Sequence, residues 1–362
     1  MQLTEYFYKK LTPEVKHTLL LFIATRIILT LIGVNARVVG YSATPSPFMY
    51  VNYDPIWLGI WGMWDSVWYL DIAKNWGQTI SIYSFFPLLM RLLGIAMGDY
   101  FLAGVIISNI SLLVASIFLY KLIRLQYDND TALRSVTYLY AFPSAFILSA
   151  ILSESLFLAL LVMCFYYARK EEWAKVGVIG FFLTLTRPVG VLVLPPLLGE
   201  YLKVRGYTLR KINFNVLFLS LIPLSLLAFS AYNPGWYSQF TQAGTEQHLK
   251  QITQYTLLNN RFFVFNLAFL IGISGLLLLA YKKIDSSYLL LSLLIVLVPP
   301  LVNPDLIAIH SITRFTVVAF PLYILLARLT SNPLIHHYLQ TFLFCMQMVL
   351  MVFWATGSGI II

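Results

Sequence analysis

Residues 289–302 read LLLSLLIVLVPPLV, and apolar runs of this kind recur along the chain between residues 18 and 357. Continuous runs exclude a membrane β-barrel, whose strands alternate apolar and polar residues over about ten positions. They suit helices, which need about 20 apolar residues to cross the hydrocarbon. Hydrophobic residues make up 59% of the 362 and charged residues only 11%, against about a quarter charged in an average soluble domain. No soluble core of this size encloses so much apolar surface, because a folded exterior must still be wetted. A soluble enzyme, a nucleic-acid-binding domain and a disordered chain are excluded. The chain reads as an all-α polytopic membrane protein.

The runs fall at 18–39, 100–123, 133–152, 153–168, 174–187, 189–202, 212–231, 262–281, 286–303, 315–329 and 338–357, about eleven transmembrane segments. The run Thr18–Val39 is too long for a signal-peptide core and lacks a small-residue cleavage site, so it is read as a retained span. The pair at 174–202 turns at Arg187-Pro188, and both halves are short for full spans. Broken segments of this kind line cavities in membrane proteins. No internal repeat stands out, and residues 1–362 are taken as one integral domain.

The net charge of +9 has a cause other than nucleic acid, since basic residues gather in cytoplasmic loops. With the N-terminus inside, sixteen of the 24 basic residues fall on inner loops, among them Lys9, Lys121, Arg169, Lys203 and Lys282. Cys164 and Cys345 both lie in apolar runs, so neither a disulfide framework nor a metal cluster is indicated. No HExxH, CxxC, P-loop or GxGxxG pattern occurs in its required context. No metal and no cofactor are expected.

Most loops are short, but the first outer loop runs from about residue 40 to 99. Within it Trp57, Trp61, Trp64, Asp65, Trp68 and Ile72 recur at helical spacing, which predicts one interfacial helix with four tryptophans along a face. A second short helix is expected over Ser84–Met97. The other sizeable outer loop is Tyr232–Asn260.

Ionisable residues near the hydrocarbon are expensive and mark functional sites by default. Asp65 sits among tryptophans, where partial desolvation makes a carboxylate a better base. Composition alone leaves it open between that role and a carboxylate wetted at the interface. Glu154, in Ser153-Glu154-Ser155, is equally open between a functional role and favouring the first turn of a helix capped by Ser153. Arg187 and Arg314 are outer-side cations beside membrane segments. Snorkelling accounts for many such arginines, but two of them on the side of Asp65 and Glu154 fit a phosphate ligand better. His310 lies four residues before Arg314 and is read either as facing the same cavity or as a structural group.

The segment Trp64-Asp65-Ser66-Val67-Trp68-Tyr69, followed by Ser84-Phe85-Phe86-Pro87-Leu88, resembles the first outer loop of the PIG-V family, the GPI mannosyltransferase II type proteins and their bacterial relatives. Phe142-Pro143-Ser144 through Ser153-Glu154-Ser155, Leu185-Thr186-Arg187-Pro188, and Thr313-Arg314-Phe315 through Phe320-Pro321-Leu322 follow in the family's order over about residues 60–325. The short chain and compact loops look more like the bacterial branch.

The resemblance implies a GT-C fold glycosyltransferase that takes a hexose, mannose by the family's habit, from a polyprenyl-phosphate carrier. The acceptor would be the hydroxyl of a lipid or glycan on the extracytoplasmic face of a bacterial inner membrane. Asp65 matches the essential acid of the family's first loop. The expected chemistry is an inverting single displacement, with Asp65 and Glu154 catalytic. Arg187 and Arg314 would hold the lipid phosphate, with Trp64, Trp68, Tyr69, Phe86 and His310 around the substrate. The rival is a secondary transporter or lipid flippase, which also needs buried charges and broken helices. Against it, the charges cluster on one face and no inverted repeat is visible.

Overall fold

The computed structural model describes residues 12–40, 50–77, 85–232, 261–302 and 311–357. Among them the chain is almost wholly helical, the β-structure being an isolated bridge between Tyr50 and Met63. Among the described residues, three helices are long and apolar enough to cross a membrane: α1 (Pro13–Val39), α5 (Tyr100–Arg124) and α15 (Pro333–Ala355). Between them lie α2 (Ile56–Gly59), α3 (Ser66–Lys74), α4 (Phe85–Met97), α6 (Asn129–Ala141), α7 (Glu154–Arg169), α8 (Trp173–Thr186) and α9 (Leu194–Val204). Then follow α10 (Leu221–Tyr232), α11 (Arg261–Leu279), α12 (Ser286–Val302), α13 (Ile312–Thr316) and α14 (Pro321–Leu329).

Helix starts follow local chemistry. Asp99 caps α5 by accepting from the Leu102 N–H at 3.0 Å, and Asp128 caps α6 through Thr131 at 2.8 Å. Asn332 accepts from the Leu334 N–H at 2.9 Å, with Pro333 pre-set for the first turn of α15. Prolines set the breaks. The residue before a proline is driven out of the α region, so Phe142 and Arg187 are extended and end α6 and α8. The run 133–152, read above as a single segment, is therefore divided between α6 and a 3-10 turn, and the run 189–202 is itself a 3-10 turn followed by an α-helix.

The expected helix over residues 57–72 does not form. Trp64 takes a left-handed φ of 54°, which splits the segment into α2 and α3. The four tryptophans consequently share no face: Trp57 and Trp68 are exposed, while Trp61 is buried. The second helix forms as α4.

The first loop is tucked into the bundle. The Trp354 indole donates to Ile60 O at 2.9 Å, the Ile151 N–H to Trp61 O at 3.0 Å, and Arg37 Nη2 to Met63 Sδ at 2.8 Å. Gly33 of α1 makes room for this loop, since a Cβ there would stand 2.9 Å from the Ile60 side chain. At the loop's far end the Tyr53 hydroxyl donates to Asp99 Oδ2 at 2.5 Å. That bond, ahead of burial, pushes the Tyr53 phenol up to about 12.

Residues 142–153 are non-helical or 3-10 and wholly buried. Irregular backbone at membrane depth survives only when protein satisfies its polar groups. Here Ser108 Oγ donates to Leu152 O at 3.4 Å and Ser144 Oγ to Thr313 O at 2.7 Å. Arg26, midway along α1, donates to Ser149 Oγ at 2.5 Å, and Ser149 donates to Asn109 at 2.7 Å. The segment thus ties together the first loop, the start of α7 and α13. Those places carry Asp65, Glu154 and Arg314, while Arg187 stands at the end of α8.

At the end of the bundle that carries most basic residues, Arg169 Nη2 bridges Glu200 and Asp285 at 2.6 Å each, and Lys203 reaches Asp285 at 3.3 Å. This clasp joins the ends of α7, α9 and α12. Burial alone would raise the Asp285 carboxyl, but Gln126, Arg169 and Lys203 outweigh it and hold it below the ordinary range. A depressed carboxyl stabilises the fold above its unfolded value, about 3.9, and loses that contribution as pH falls through the lower folded value. Asp285→Asn should therefore cost about 1 kcal/mol at neutral pH. In thermal melts, its gap to the wild type should close below about pH 4.

Candidate functional site

Asp65 occupies the N-cap position of α3, where an aspartate ordinarily accepts from the helix's own backbone. It makes no such bond. Its Oδ2 instead takes Nη1 of Arg314 at 2.6 Å. The left-handed Trp64 immediately before it turns the chain so that the carboxylate can reach α13. A tryptophan in that backbone region is uncommon, costs of order 1–3 kcal/mol, and is typical of functional turns.

Arg314 also donates through Nε to Glu154 Oε1, and the same oxygen receives Nη1 of Arg187. Four side chains from four separate segments thus form one chain of charges, Asp65–Arg314–Glu154–Arg187. Two carboxylates face two guanidiniums, so the cluster is close to neutral. Depth runs along it. The Asp65 side chain is 45% exposed, that of Arg187 13%, that of Arg314 6% and that of Glu154 not at all. Arg187 additionally lies over the Phe315 ring at 5.4 Å, which places it beside α13.

Ser153, expected to cap α7, makes no cap bond. Its hydroxyl pairs with the Tyr69 hydroxyl at 2.9 Å, linking α3 directly to the start of α7. Burial raises the Tyr69 phenol well above its ordinary range, so it stays protonated and neutral. The Phe86 ring meets Tyr69 edge-on at 5.1 Å and is itself fully buried. Tyr69 and Phe86, expected around the substrate, are both buried, with Tyr69 joined to Ser153 beside Glu154. Trp68 points outward and is 64% exposed, as suits a residue anchored at an interface. Trp64 is partly buried beside Asp65. His310 and most of the Tyr232–Asn260 loop lie outside the described residues.

Sequence reasoning did not single out Ser66, Ser155 and Thr313. Each stands next to a member of the charge chain, and each is fully buried with a hydroxyl that lacks a hydrogen-bond partner. Single serines and threonines are too common to mark a site. The signal was their adjacency to Asp65, Glu154 and Arg314.

Long apolar helices, a first loop folded into the bundle and a desolvated charge cluster beside that loop define an all-α integral membrane protein. No family model and no curated protein matches the chain. Among solved structures it is similar to the oligosaccharyltransferase of Archaeoglobus fulgidus tethered to an acceptor peptide containing the NVT sequon. That likeness has a TM-score of 0.43 at 13% identity, over 94% of this chain and 55% of the other. It is also similar to the same organism's AglB in complex with an inhibitory peptide and a dolichol-phosphate, with a TM-score of 0.43 at 11% identity, over 94% of this chain and 56% of that one. The chain spans about half the length of these structures.

Proposed function

We propose that the chain is a GT-C-like membrane glycosyltransferase. It transfers a hexose, mannose by its sequence resemblance, from a polyprenyl-phosphate carrier to a lipid-linked or glycan hydroxyl on the extracytoplasmic face of a bacterial inner membrane. The observation that carries this reading is the charge chain itself. It offers one accessible carboxylate, Asp65, next to an arginine pair whose counterion is buried beneath it.

Each part has a task in an inverting displacement. The acceptor oxygen attacks the anomeric carbon, the bond from that carbon to the phosphate oxygen breaks, and the acceptor proton passes to Asp65. Oδ2 of Asp65 is engaged by Arg314, which leaves Oδ1 for that proton. General-base help of this kind contributes roughly 10²–10⁴-fold. Arg314 and Arg187 meet the charge that grows on the departing phosphate, fork against oxyanion. Glu154 then acts as a positioning residue. Wholly buried and shared by both guanidiniums, it holds them in place for the carrier. Its burial argues against direct contact with a sugar hydroxyl through Oε1. The activated phosphate of the carrier supplies the leaving group, so the displacement requires no metal.

Purified protein in lipid should move label from polyprenyl-phosphate mannose into a lipid extract. Failure with every polyprenyl-phosphate sugar would overturn this reading and favour a transporter or flippase.

A further inference from the structure

Buried polar atoms without partners are rare in native proteins, and each costs about 1–3 kcal/mol. Five of them gather on the charge chain and its neighbours: Trp64 Nε1, Ser66 Oγ, Glu154 Oε2, Ser155 Oγ and Thr313 Oγ1. Each belongs to a member of the chain or to a residue directly beside one. At Ser66, Ser155 and Thr313 the fold keeps the hydroxyl although alanine or valine would fill nearly the same space.

The chemistry of the set narrows what it complements. An indole N–H can only donate, three hydroxyls both donate and accept, and an ionised carboxylate oxygen can only accept. A phosphate has no use for Glu154 Oε2, since both are acceptors of like charge. A hydrocarbon tail has no use for any of the five. A sugar ring, whose hydroxyls donate and accept in several directions, uses all of them.

Resting on the glycosyltransferase reading, we infer that Trp64, Ser66, Ser155, Thr313 and Oε2 of Glu154 form the subsite that recognises the hydroxyls of the transferred sugar. Arg187 and Arg314 are left to the phosphate. The ring enters at the Asp65 edge, the exposed end of the cluster, with the buried hydroxyls beyond it.

Binding of two probes to the full-length protein in nanodiscs tests this: polyprenyl-phosphate mannose and the same polyprenyl phosphate without a sugar. Wild type should bind the mannosylated probe more tightly. Thr313→Val and Ser155→Ala keep the packing volume and should each weaken that probe about 5- to 100-fold. The sugar-free probe should change by less than about twofold. Thr313→Ser, which restores the hydroxyl, should recover most of the affinity and control for folding.

Equal weakening of both probes, or none of either, would overturn the subsite. So would a wild type that binds the two probes alike, although the glycosyltransferase reading would survive that result. A wild type that binds neither probe would overturn the reading itself.

Discussion

Asp65→Asn should lower turnover at least about 100-fold while leaving the protein folded and able to hold its donor. Asparagine keeps the size of the side chain and can still accept from Arg314, but it cannot take the acceptor's proton. Stability should change little, because the Asp65 side chain is 45% exposed and exposed ion pairs contribute about 0–1 kcal/mol. Arg314 also keeps its second carboxylate, Glu154, so no guanidinium is left bare. Asp65→Glu should be poor as well, since moving the carboxylate by about 1 Å spoils the line of attack. The measurements are single-turnover transfer from the labelled carrier, donor affinity and a thermal melt on each variant. Near-normal turnover in a stable Asp65→Asn protein would remove Asp65 from the mechanism.

The sequence made the class and the long helices legible because a 20-residue apolar run has few other fates. Proline marked the break at Arg187-Pro188 for an equally local reason, whereas the same signal at Phe142-Pro143 was passed over when 133–152 was read as one segment. The helix over residues 57–72 went wrong because periodicity assumes an unbroken helix. A single left-handed residue, Trp64, re-aims everything after it, and nothing in a tryptophan announces that conformation.

The four ionisable residues of the site could be picked out one at a time, since each is costly near hydrocarbon. Their pairing was not legible. Asp65, Glu154, Arg187 and Arg314 are brought together by tertiary contacts across most of the chain, chiefly through the buried segment 142–153. That pairing places Glu154, wholly buried, between two guanidiniums. The clasp at the opposite end was hidden for a similar reason. Arg169 read as an ordinary inner-loop charge, and its partners Glu200 and Asp285 became visible only where the ends of α7, α9 and α12 meet.

If Glu154 is an internal counterion, its removal should be felt first as instability and only then as lost activity. A buried ion pair deprived of one partner typically costs about 3–5 kcal/mol, because the remaining charge stays desolvated. Glu154 serves two arginines through one oxygen, so Glu154→Gln takes the buried negative charge from both guanidiniums at once. Removing a cation as well should give part of that back. The double variant Glu154→Gln/Arg187→Gln is expected to be more stable than the sum of the two single changes predicts, by about 1–3 kcal/mol. Its activity should stay low, since the phosphate has lost a ligand. A catalytic acid exposed to substrate would behave in the opposite way, with Glu154→Gln folding normally and losing only turnover. Melting temperatures of the four proteins, read beside their transfer rates, separate a positioning carboxylate from a reacting one.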